Sequence, residues 1–253
     1  MGFTLISATP YAQPIPFSLP LSSTPSFPSP THPHSSPSDT RSPYARKVRI
    51  ALLEKSIPFT LQTEVPWNSS TCTPQHNPLE KLPVLIDTST DTSVYESHFI
   101  LEWLEAHYGR EQGYAAMFPE GKAQELLAKQ VQVVADGMCD ACVLMFFEKQ
   151  RSQPSQEWTG RQQRKVQGGL RALSRWVGGE EDPQLHKDFI VGDAFSLADI
   201  AAGSVLGYMK VRFPTQDWQT EFPNLKAYSD KLEARESFKQ TVPTPQEIDD
   251  KIV

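Results

Sequence analysis

The chain has 253 residues, of which 38% are hydrophobic and 21% are charged, and its formal net charge is −6. A chain of this size and composition can bury a core and form one large domain or two small ones. The negative charge argues against nucleic acid or an anionic membrane as a partner, and no apolar run approaches the roughly 20 residues that span a bilayer.

Proline and serine dominate the first 45 residues. Ten of the 22 prolines lie there, and no Asp, Glu, Lys or Arg precedes Asp39. Such a stretch buries too little apolar surface to offset its chain entropy, so we expect most of it to be disordered. The exception is the apolar, β-prone stretch 3–6. The sequence therefore predicts a first strand within residues 1–10 and a Pro/Ser-rich disordered insertion at 11–41.

Residues 42–110 alternate between helical and strand patterns. Helical spacing of apolar residues predicts a helix from Ser42 to about Lys55. A strand at 57–62 follows, then a loop at 68–80 with room for one short helix, two strands at 82–86 and 93–95, and a helix at 97–108. The order suits a small α/β unit in which a crossover helix joins two parallel strands.

Residues 111–253 are predicted to form an all-helical domain. Long helical patterns cover 122–150, 158–177, 196–213 and 223–236, and Gly or Pro marks the breaks between them. In the third of these, Ser196 and Asp199 have capping-box spacing, which indicates a structural role.

Ser42-Pro43 is a strong helix start, because Ser is a favoured N-cap and Pro at the first helical position loses no hydrogen bond. Unpaired N–H groups and a partial positive charge at a helix start make a nearby thiol easier to ionise. A Ser hydroxyl can also donate a hydrogen bond to a thiolate. Taken alone, however, the pair favours an ordinary cap.

Two further motifs suit an extended peptide ligand. A proline in Lys81-Leu82-Pro83 must sit outside the strand ladder, and a cis Leu82–Pro83 bond would turn the backbone of Leu82 outward to pair with a peptide. Glu96 and Ser97 open the next helix, and Ser97 is a candidate N-cap. The start of a helix can bind a carboxylate of a ligand, and the Glu96 side chain can bind an amino group. The alternative interpretation of the proline motif is a plain edge strand, and that of the Glu96-Ser97 motif is an ordinary capped helix.

Together these motifs closely resemble the cytosolic glutathione S-transferase family, in its bacterial and fungal serine-type branch. The resemblance rests on Ser-Pro-Tyr-Ala-Arg-Lys-Val-Arg from Ser42, Asn-Pro-Leu-Glu-Lys-Leu-Pro-Val-Leu from Asn77, Tyr-Glu-Ser from Tyr95 and Phe-Ser-Leu-Ala-Asp-Ile-Ala from Phe195. It covers nearly all of residues 42–245. It implies a thioredoxin-like N-terminal domain of order βαβαββα at 42–110, completed by the first strand, and an all-α C-terminal domain at 111–253.

The resemblance also implies roles for individual residues. Ser42 would stabilise the glutathione thiolate, and Leu82, beside a cis Pro83, would pair its backbone with the cysteinyl part. Glu96 and Ser97 would hold the γ-glutamyl group, and Lys81 would face the glycyl carboxylate. Glutathione would be the co-substrate, with no metal, and the family implies a homodimer. Three cysteines do not make a disulfide framework, which indicates a reducing, cytoplasmic setting, and the net charge favours neither a nucleic-acid nor a membrane partner.

The electrophile pocket implied by the family lies between the two domains. Its candidate lining residues, for which plain core packing is the favoured alternative, are Met138, Met145, Phe146, Tyr208 and Phe213. We expect conjugation of glutathione to a small hydrophobic electrophile, in detoxification or secondary metabolism. The alternatives are glutathione-dependent isomerase or lyase chemistry, or a non-catalytic binding module.

Several other signals favour structural interpretations. Cys139 and Cys142 have redox or metal spacing but lie inside a long apolar helical pattern, which favours buried structural thiols. Cys72 is a lone loop cysteine, and the pair His32 and His34 is a weak metal signal. The basic run 46–49 is predicted to be a solvated helix face.

The insertion is the clearest departure from the family pattern, because residues 3–10 would join Ser42 cleanly without it. One hypothesis is that 11–41 derive from an unspliced intron or a gene-model error, which sequencing of the transcript would test. If the segment is real, loop-closure entropy tolerates it, since that cost grows slowly with length. Its larger consequence would be steric blocking of the thiol site.

Overall fold

The computed structural model describes residues 2–8, 42–67, 70–178 and 187–244. The predicted insertion at 11–41 lies outside these residues. The predicted first strand lies within them and is present as β1.

A four-stranded mixed sheet forms the core of the N-terminal domain. Its strands are β1 (Phe3–Ala8), β2 (Phe59–Glu64), β3 (Val84–Asp87) and β4 (Thr92–Tyr95), in the order β2-β1-β3-β4. β1 runs parallel to β2 and antiparallel to β3, and β4 is antiparallel to β3. Every predicted strand is therefore present, with boundaries that differ by about two residues.

Three helices complete this domain: α1 (Pro43–Glu54), α2 (Thr73–His76) and α3 (Ser97–His107). α1 is the crossover between the parallel strands β1 and β2, and it packs against α3. The predicted order βαβαββα and the thioredoxin-like fold are confirmed.

Helices make up the described part of the C-terminal domain, as predicted. The four long ones are α4 (Lys122–Glu148), α5 (Gln156–Gly178), α6 (Leu197–Arg212) and α8 (Pro223–Glu233). The single-turn helices α7 (Trp218–Glu221) and α9 (Glu236–Lys239) were not separately predicted, because four residues show no helical period. α4 packs against α5 and α6.

α4 is also the one helix in the described ranges long and apolar enough to cross a membrane. Nine of its residues are buried, including Val131, Ala135 and Met138. Part of the apolar character of α4 is therefore explained by its position in the protein core.

The predicted capping interaction at the start of α6 is present. The Asp199 carboxylate accepts hydrogen bonds from the Ser196 backbone N–H at 2.8 Å and from its hydroxyl at 3.1 Å. The same buried carboxylate accepts from the Tyr228 hydroxyl at 2.6 Å and the Ile190 N–H at 2.9 Å. Asp199 thus ties the start of α6 to α8, which is a structural role.

The basic run in α1 is buried, so the prediction of a solvated helix face is wrong. Arg46, Lys47 and Arg49 are 1%, 1% and 2% exposed. The Arg46 guanidinium forms a bidentate pair with the Glu233 carboxylate, at 3.0 and 2.8 Å, and Arg49 donates to the Gln240 carbonyl at 2.8 Å. Charged residues are buried only when they are paired, and here the partners come from the second domain.

A third contact fastens the other end of α1 to the same part of the second domain. Glu54, the last residue of α1, accepts two hydrogen bonds from the Arg235 guanidinium, at 3.1 and 2.8 Å, and one from the Ser237 hydroxyl at 2.5 Å. The helix that Ser42 caps is therefore held by α8, α9 and the residues between and after them.

Candidate functional site

The sheet register brings the predicted site residues to one edge. Ile6 of β1 lies opposite Val84 of β3, which lies opposite Tyr95 of β4. Leu82 and Pro83 precede Val84, and Glu96 and Ser97 follow Tyr95, so both pairs leave the sheet at the edge where β1 ends. Because α1 returns the chain to the start of the parallel strand β2, its first residues lie at this edge too.

Ser42 is the N-cap of α1, as the sequence predicts. Its backbone is extended, with φ −85° and ψ 120°, and its hydroxyl oxygen accepts a hydrogen bond from the Ala45 N–H at 3.3 Å. This bond uses an oxygen lone pair and leaves the hydroxyl proton available for a second acceptor. The side chain is half-buried, so a ligand atom can reach it.

The Leu82–Pro83 peptide bond is cis, the isomer that suits a peptide ligand at this position. Leu82 is half-buried and lies outside the ladder, which begins at Val84. The Lys81 side chain is exposed, and its carbonyl accepts from the Asn77 amide at 2.8 Å, which fixes the turn before the proline. The role of Lys81 towards a carboxylate stays a prediction.

Glu96 has an unusual backbone for a residue with a side chain, with φ 70° and ψ 113°. A conformation of this kind costs of order 1–3 kcal/mol, and such residues cluster at functional sites. Glu96 occupies the N-cap position of α3, and Ser97 is the first helical residue, so the expectation that Ser97 is the cap is wrong. The Glu96 side chain is exposed, whereas Ser97 is 1% exposed and its hydroxyl lies 3.4 Å from the Glu96 carboxylate.

A carboxylate of α4 joins the starts of α1 and α3. Asp136 pairs with the Lys47 ammonium at 2.5 Å and lies 3.9 Å from Nδ1 of His98. Burial raises the pKa of Asp136, although the neighbouring charge of Lys47 opposes the rise. The C-terminal domain therefore forms a third side of the site, next to the two helix N-termini.

A polar contact that the sequence does not predict joins the two domains near Ser42. The phenol of Tyr44, two residues after Ser42, donates a hydrogen bond to the carboxylate of Asp140, one turn beyond Asp136 on α4. Burial, followed by the nearby Cys139 and Asp140, raises the pKa of Tyr44 far above its usual value, so the phenol remains a protonated donor. Tyr44 lies in the quoted Ser-Pro-Tyr motif, but nothing local in the sequence points to a partner 96 residues away.

The five residues proposed to line the electrophile pocket are mostly core residues. Exposure is 4% or less for four of them: Met138, Met145, Tyr208 and Phe213. Phe146 is half-buried, and the Arg212 guanidinium carbon lies 4.5 Å from the centroid of its ring. Trp67, which precedes α2 and is 40% exposed, meets Phe147 of α4 edge-on at 6.1 Å. Phe146 and this aromatic pair therefore present more accessible apolar surface than the other four predicted residues.

The cysteines have the properties of structural thiols. Cys139 and Cys142 are buried in α4, and burial raises the pKa of Cys142 to about 12 and that of Cys139 well above its usual value. Burial and the Glu64 carboxylate, which accepts from the Cys72 thiol at 2.6 Å, raise the pKa of Cys72 to about 11. All three thiols are protonated at neutral pH, which makes them poor nucleophiles.

The described residues contain no group of three or more His, Cys, Asp or Glu side chains placed to hold a metal ion. His32 and His34 lie outside these residues. Hydrogen-bonding groups, two helix N-termini and charged side chains lie at the sheet edge.

Comparison with known proteins agrees with this geometry. Residues 41–107 match the glutathione S-transferase N-terminal domain, and residues 156–231 match the C-terminal domain. The chain is 32% identical over 204 residues to an uncharacterized GST-like protein, YibF of Escherichia coli K12, in a match that covers 80% of this chain and 95% of YibF.

Solved structures extend the likeness to both domains. A glutathione S-transferase from Methylobacterium radiotolerans, in complex with glutathione sulfonate, is 45% identical, with all of both chains covered and a TM-score of 0.80. Another, from Methylobacillus flagellatus with glutathione bound, is 28% identical, with 96% of this chain and all of that chain covered and a TM-score of 0.74.

Proposed function

Because the chain belongs to the glutathione S-transferase family, we propose that it conjugates glutathione to a small hydrophobic electrophile, in detoxification or secondary metabolism. The observation that carries the proposal is the meeting of three features at one sheet edge: the Ser42 cap, the cis Leu82–Pro83 bond and the strained Glu96 backbone. The glutathione-bound structures of similar proteins support the choice of ligand. The proposed setting is the cytoplasm.

Ser42 is the proposed thiolate-stabilising residue. Its hydroxyl proton is available for donation, because the Ala45 N–H occupies only a lone pair of the oxygen. The N-terminus of α1 adds a partial positive charge beside the developing thiolate. The serine acts as a hydrogen-bond donor, and the glutathione sulfur is the nucleophile.

The tripeptide would lie along the edge formed by the turn before β3 and the start of α3. The Leu82 backbone pairs with the cysteinyl residue, as an added strand would. The exposed Glu96 carboxylate binds the γ-glutamyl ammonium group, while the Ser97 hydroxyl and the start of α3 receive the γ-glutamyl carboxylate. Lys81 faces the glycyl carboxylate.

The proposed reaction is a nucleophilic displacement. The thiol loses its proton to solvent, the sulfur forms a bond to the electrophilic carbon, and the leaving group departs with its bonding electron pair. With an aryl chloride as substrate, the products are a thioether, chloride and a proton. The proposed glutathione-binding domain comprises 1–10 and 42–110, and the proposed helical domain, 111–253, supplies the opposite wall of the electrophile pocket.

Conjugation of chlorodinitrobenzene by wild type and by Ser42→Ala tests this proposal. We expect Ser42→Ala to lower kcat/KM by a factor of ten or more, since removal of a charge-assisted hydrogen bond costs about 1.5–3 kcal/mol. Equal activity of the two proteins would remove Ser42 from the mechanism. Glutathione binding without conjugation of several electrophiles would favour the non-catalytic module.

The proposed homodimer uses an exposed apolar stripe on α4. Leu126, Val133 and Leu144 are 55%, 55% and 42% exposed, and their spacing of seven and eleven residues places them on one face of the helix. Phe99 of the adjoining α3 is also 55% exposed. A face of this kind can meet its own copy across a two-fold axis.

Light scattering of Leu126→Glu/Val133→Glu tests the dimer. We expect wild type at twice the chain mass and the variant at the chain mass, because two carboxylates would be buried on each side of the interface. A wild-type monomer would refute the proposal, as would a dimeric variant.

A further inference from the structure

A row of cations runs along the outer face of α5. It consists of Arg161, Arg164, Lys165, Arg171 and Arg175, and all five side chains are exposed. Glu157, which is exposed on the same face one turn before Arg161, is the one acidic residue of α5. We refer to these five residues as the basic stripe.

Helical geometry places the stripe on a single surface. At about 100° per residue, its members fall within an arc of about 120°, and the row is about 21 Å long. The buried residues of α5, which include Val166, Leu170 and Leu173, lie on the opposite face. The whole row can therefore meet one partner at the same time.

Among the described residues, the stripe lacks the ion pairs that other exposed cations of the protein form. Exposed lysines of α8 and its surroundings pair with carboxylates, as Lys226 does with Asp230 at 2.5 Å. Within the described part of the chain, no carboxylate forms an ion pair with any member of the stripe, and Lys165 donates only to the Gln162 amide, at 2.8 Å. Like charges three and four residues apart weaken a helix, and a polyanion would relieve that repulsion.

The shape of the surface favours a flat partner. α5 packs lengthwise against α4 and α8, so it exposes only its outer arc and does not project as a helix must to enter the DNA major groove. Trp158, which is 41% exposed, lies one turn before Arg161 at the edge of the stripe. An indole beside basic residues is typical of proteins that contact lipid headgroups.

We propose that the basic stripe docks the protein on the surface of an anionic phospholipid bilayer. The net charge of −6 predicts no membrane partner, but it averages over the whole chain. Attraction between a basic cluster and anionic lipid acts over about one Debye length, roughly 8 Å, so the local charge decides it. Docking would bring the protein to the layer in which hydrophobic compounds accumulate.

Sedimentation with phosphatidylcholine vesicles, with and without phosphatidylserine, tests the docking. Each Lys or Arg near an anionic surface strengthens binding roughly fivefold, so Arg161→Gln/Arg164→Gln/Lys165→Gln should weaken it roughly a hundredfold. Glutamine is a good helix former and the three sites are exposed, so we expect the fold to persist. The control Lys122→Gln/Lys226→Gln/Lys239→Gln removes the same charge from other exposed positions and should bind as wild type does.

The expected result is binding that requires phosphatidylserine, falls with salt and is lost only in the stripe variant. No binding by wild type, or equal losses in the two variants, would overturn the proposal. Tighter binding to a DNA duplex than to the vesicles would also overturn it, in favour of a nucleic-acid surface. Conjugation activity should be unchanged in both variants, so the outcome is independent of the proposed enzymatic function.

Discussion

The ion pair between Arg46 and Glu233 is expected to be a main link between the two domains. Besides the bidentate pair, the Arg46 guanidinium donates to the carbonyls of Gly203 and Phe238, both at 3.4 Å, and lies over the Phe238 ring at 5.1 Å. Arg46→Met keeps the length and helix propensity of the side chain but removes every one of these donors. It leaves the buried side of the Glu233 carboxylate without its partner, whereas the Phe238 carbonyl keeps the Thr241 N–H at 3.1 Å.

The structure sets the size of the expected effect. Loss of one partner of a buried pair costs about 3–5 kcal/mol. The Glu233 side chain is 23% exposed and can regain some water, so we expect the lower end, about 3 kcal/mol. The pair of Arg235 with Glu54 joins the same two domains, but its side chains are 33% and 19% exposed. Arg235→Met should therefore cost about 1 kcal/mol or less.

Urea unfolding of wild type, Arg46→Met, Glu233→Gln and the double variant measures this link. The sum of the losses in unfolding free energy of the two single variants should exceed the loss of the double variant by about 2 kcal/mol, because residues that share a buried pair are coupled. Arg235→Met is the matched control. Additivity within about 0.5 kcal/mol, or equal losses in Arg46→Met and Arg235→Met, would refute the buried link.

Three further predictions concern side-chain contacts around the site. Gly207→Ala should cost about 1–3 kcal/mol in the same assay, because its methyl would clash with the Arg46 guanidinium and lie 2.7 Å from the Glu233 carboxylate. A neutral result would contradict this position of the Arg46 side chain. Tyr44→Phe and Asp140→Ala should have similar effects of about 1 kcal/mol, since each removes the same hydrogen bond, and clearly unequal losses would contradict it. Burial opposes ionisation of Glu64, but hydrogen bonds from Cys72, Thr71, Thr73 and Gln62 outweigh it and lower its pKa. Its contribution to stability is therefore fully present above the usual pKa of a glutamate and is lost as the pH falls through its lowered pKa, so Glu64→Gln should be destabilising at pH 7 and progressively less so in acid. A urea midpoint difference that persists undiminished in acid would argue against this pKa.

Much of the fold follows from local sequence signals. The cap at Ser42, the proline at 83 and the capping box at Ser196 each depend on a few neighbouring residues, and the structure has them where the sequence predicts. The long helices and the strands follow from hydrophobic period, which is also local. The resemblance to a known family then supplied the roles of the site residues, which stay predictions.

The features that the sequence did not predict depend on distant partners. The burial of Arg46 requires Glu233, 187 residues away, and the Tyr44 contact requires Asp140, 96 residues away. A basic run alone cannot distinguish a solvated face from an interdomain link, because both place cations at helical spacing. The backbone of Glu96 is likewise set by the junction of β4 and α3, since its residue type does not favour a positive φ.

The pKa of the glutathione thiol bound to the protein tests the proposed role of Ser42 most directly. Thiolate absorbance in the ultraviolet, followed against pH, gives this pKa for wild type and for Ser42→Ala. We predict a bound pKa well below that of free glutathione in wild type, and a value about 1–2 units higher in Ser42→Ala, which corresponds to the loss of a charge-assisted hydrogen bond. Equal pKa values in two proteins that both bind glutathione would contradict the assignment of Ser42 as the thiolate-stabilising residue.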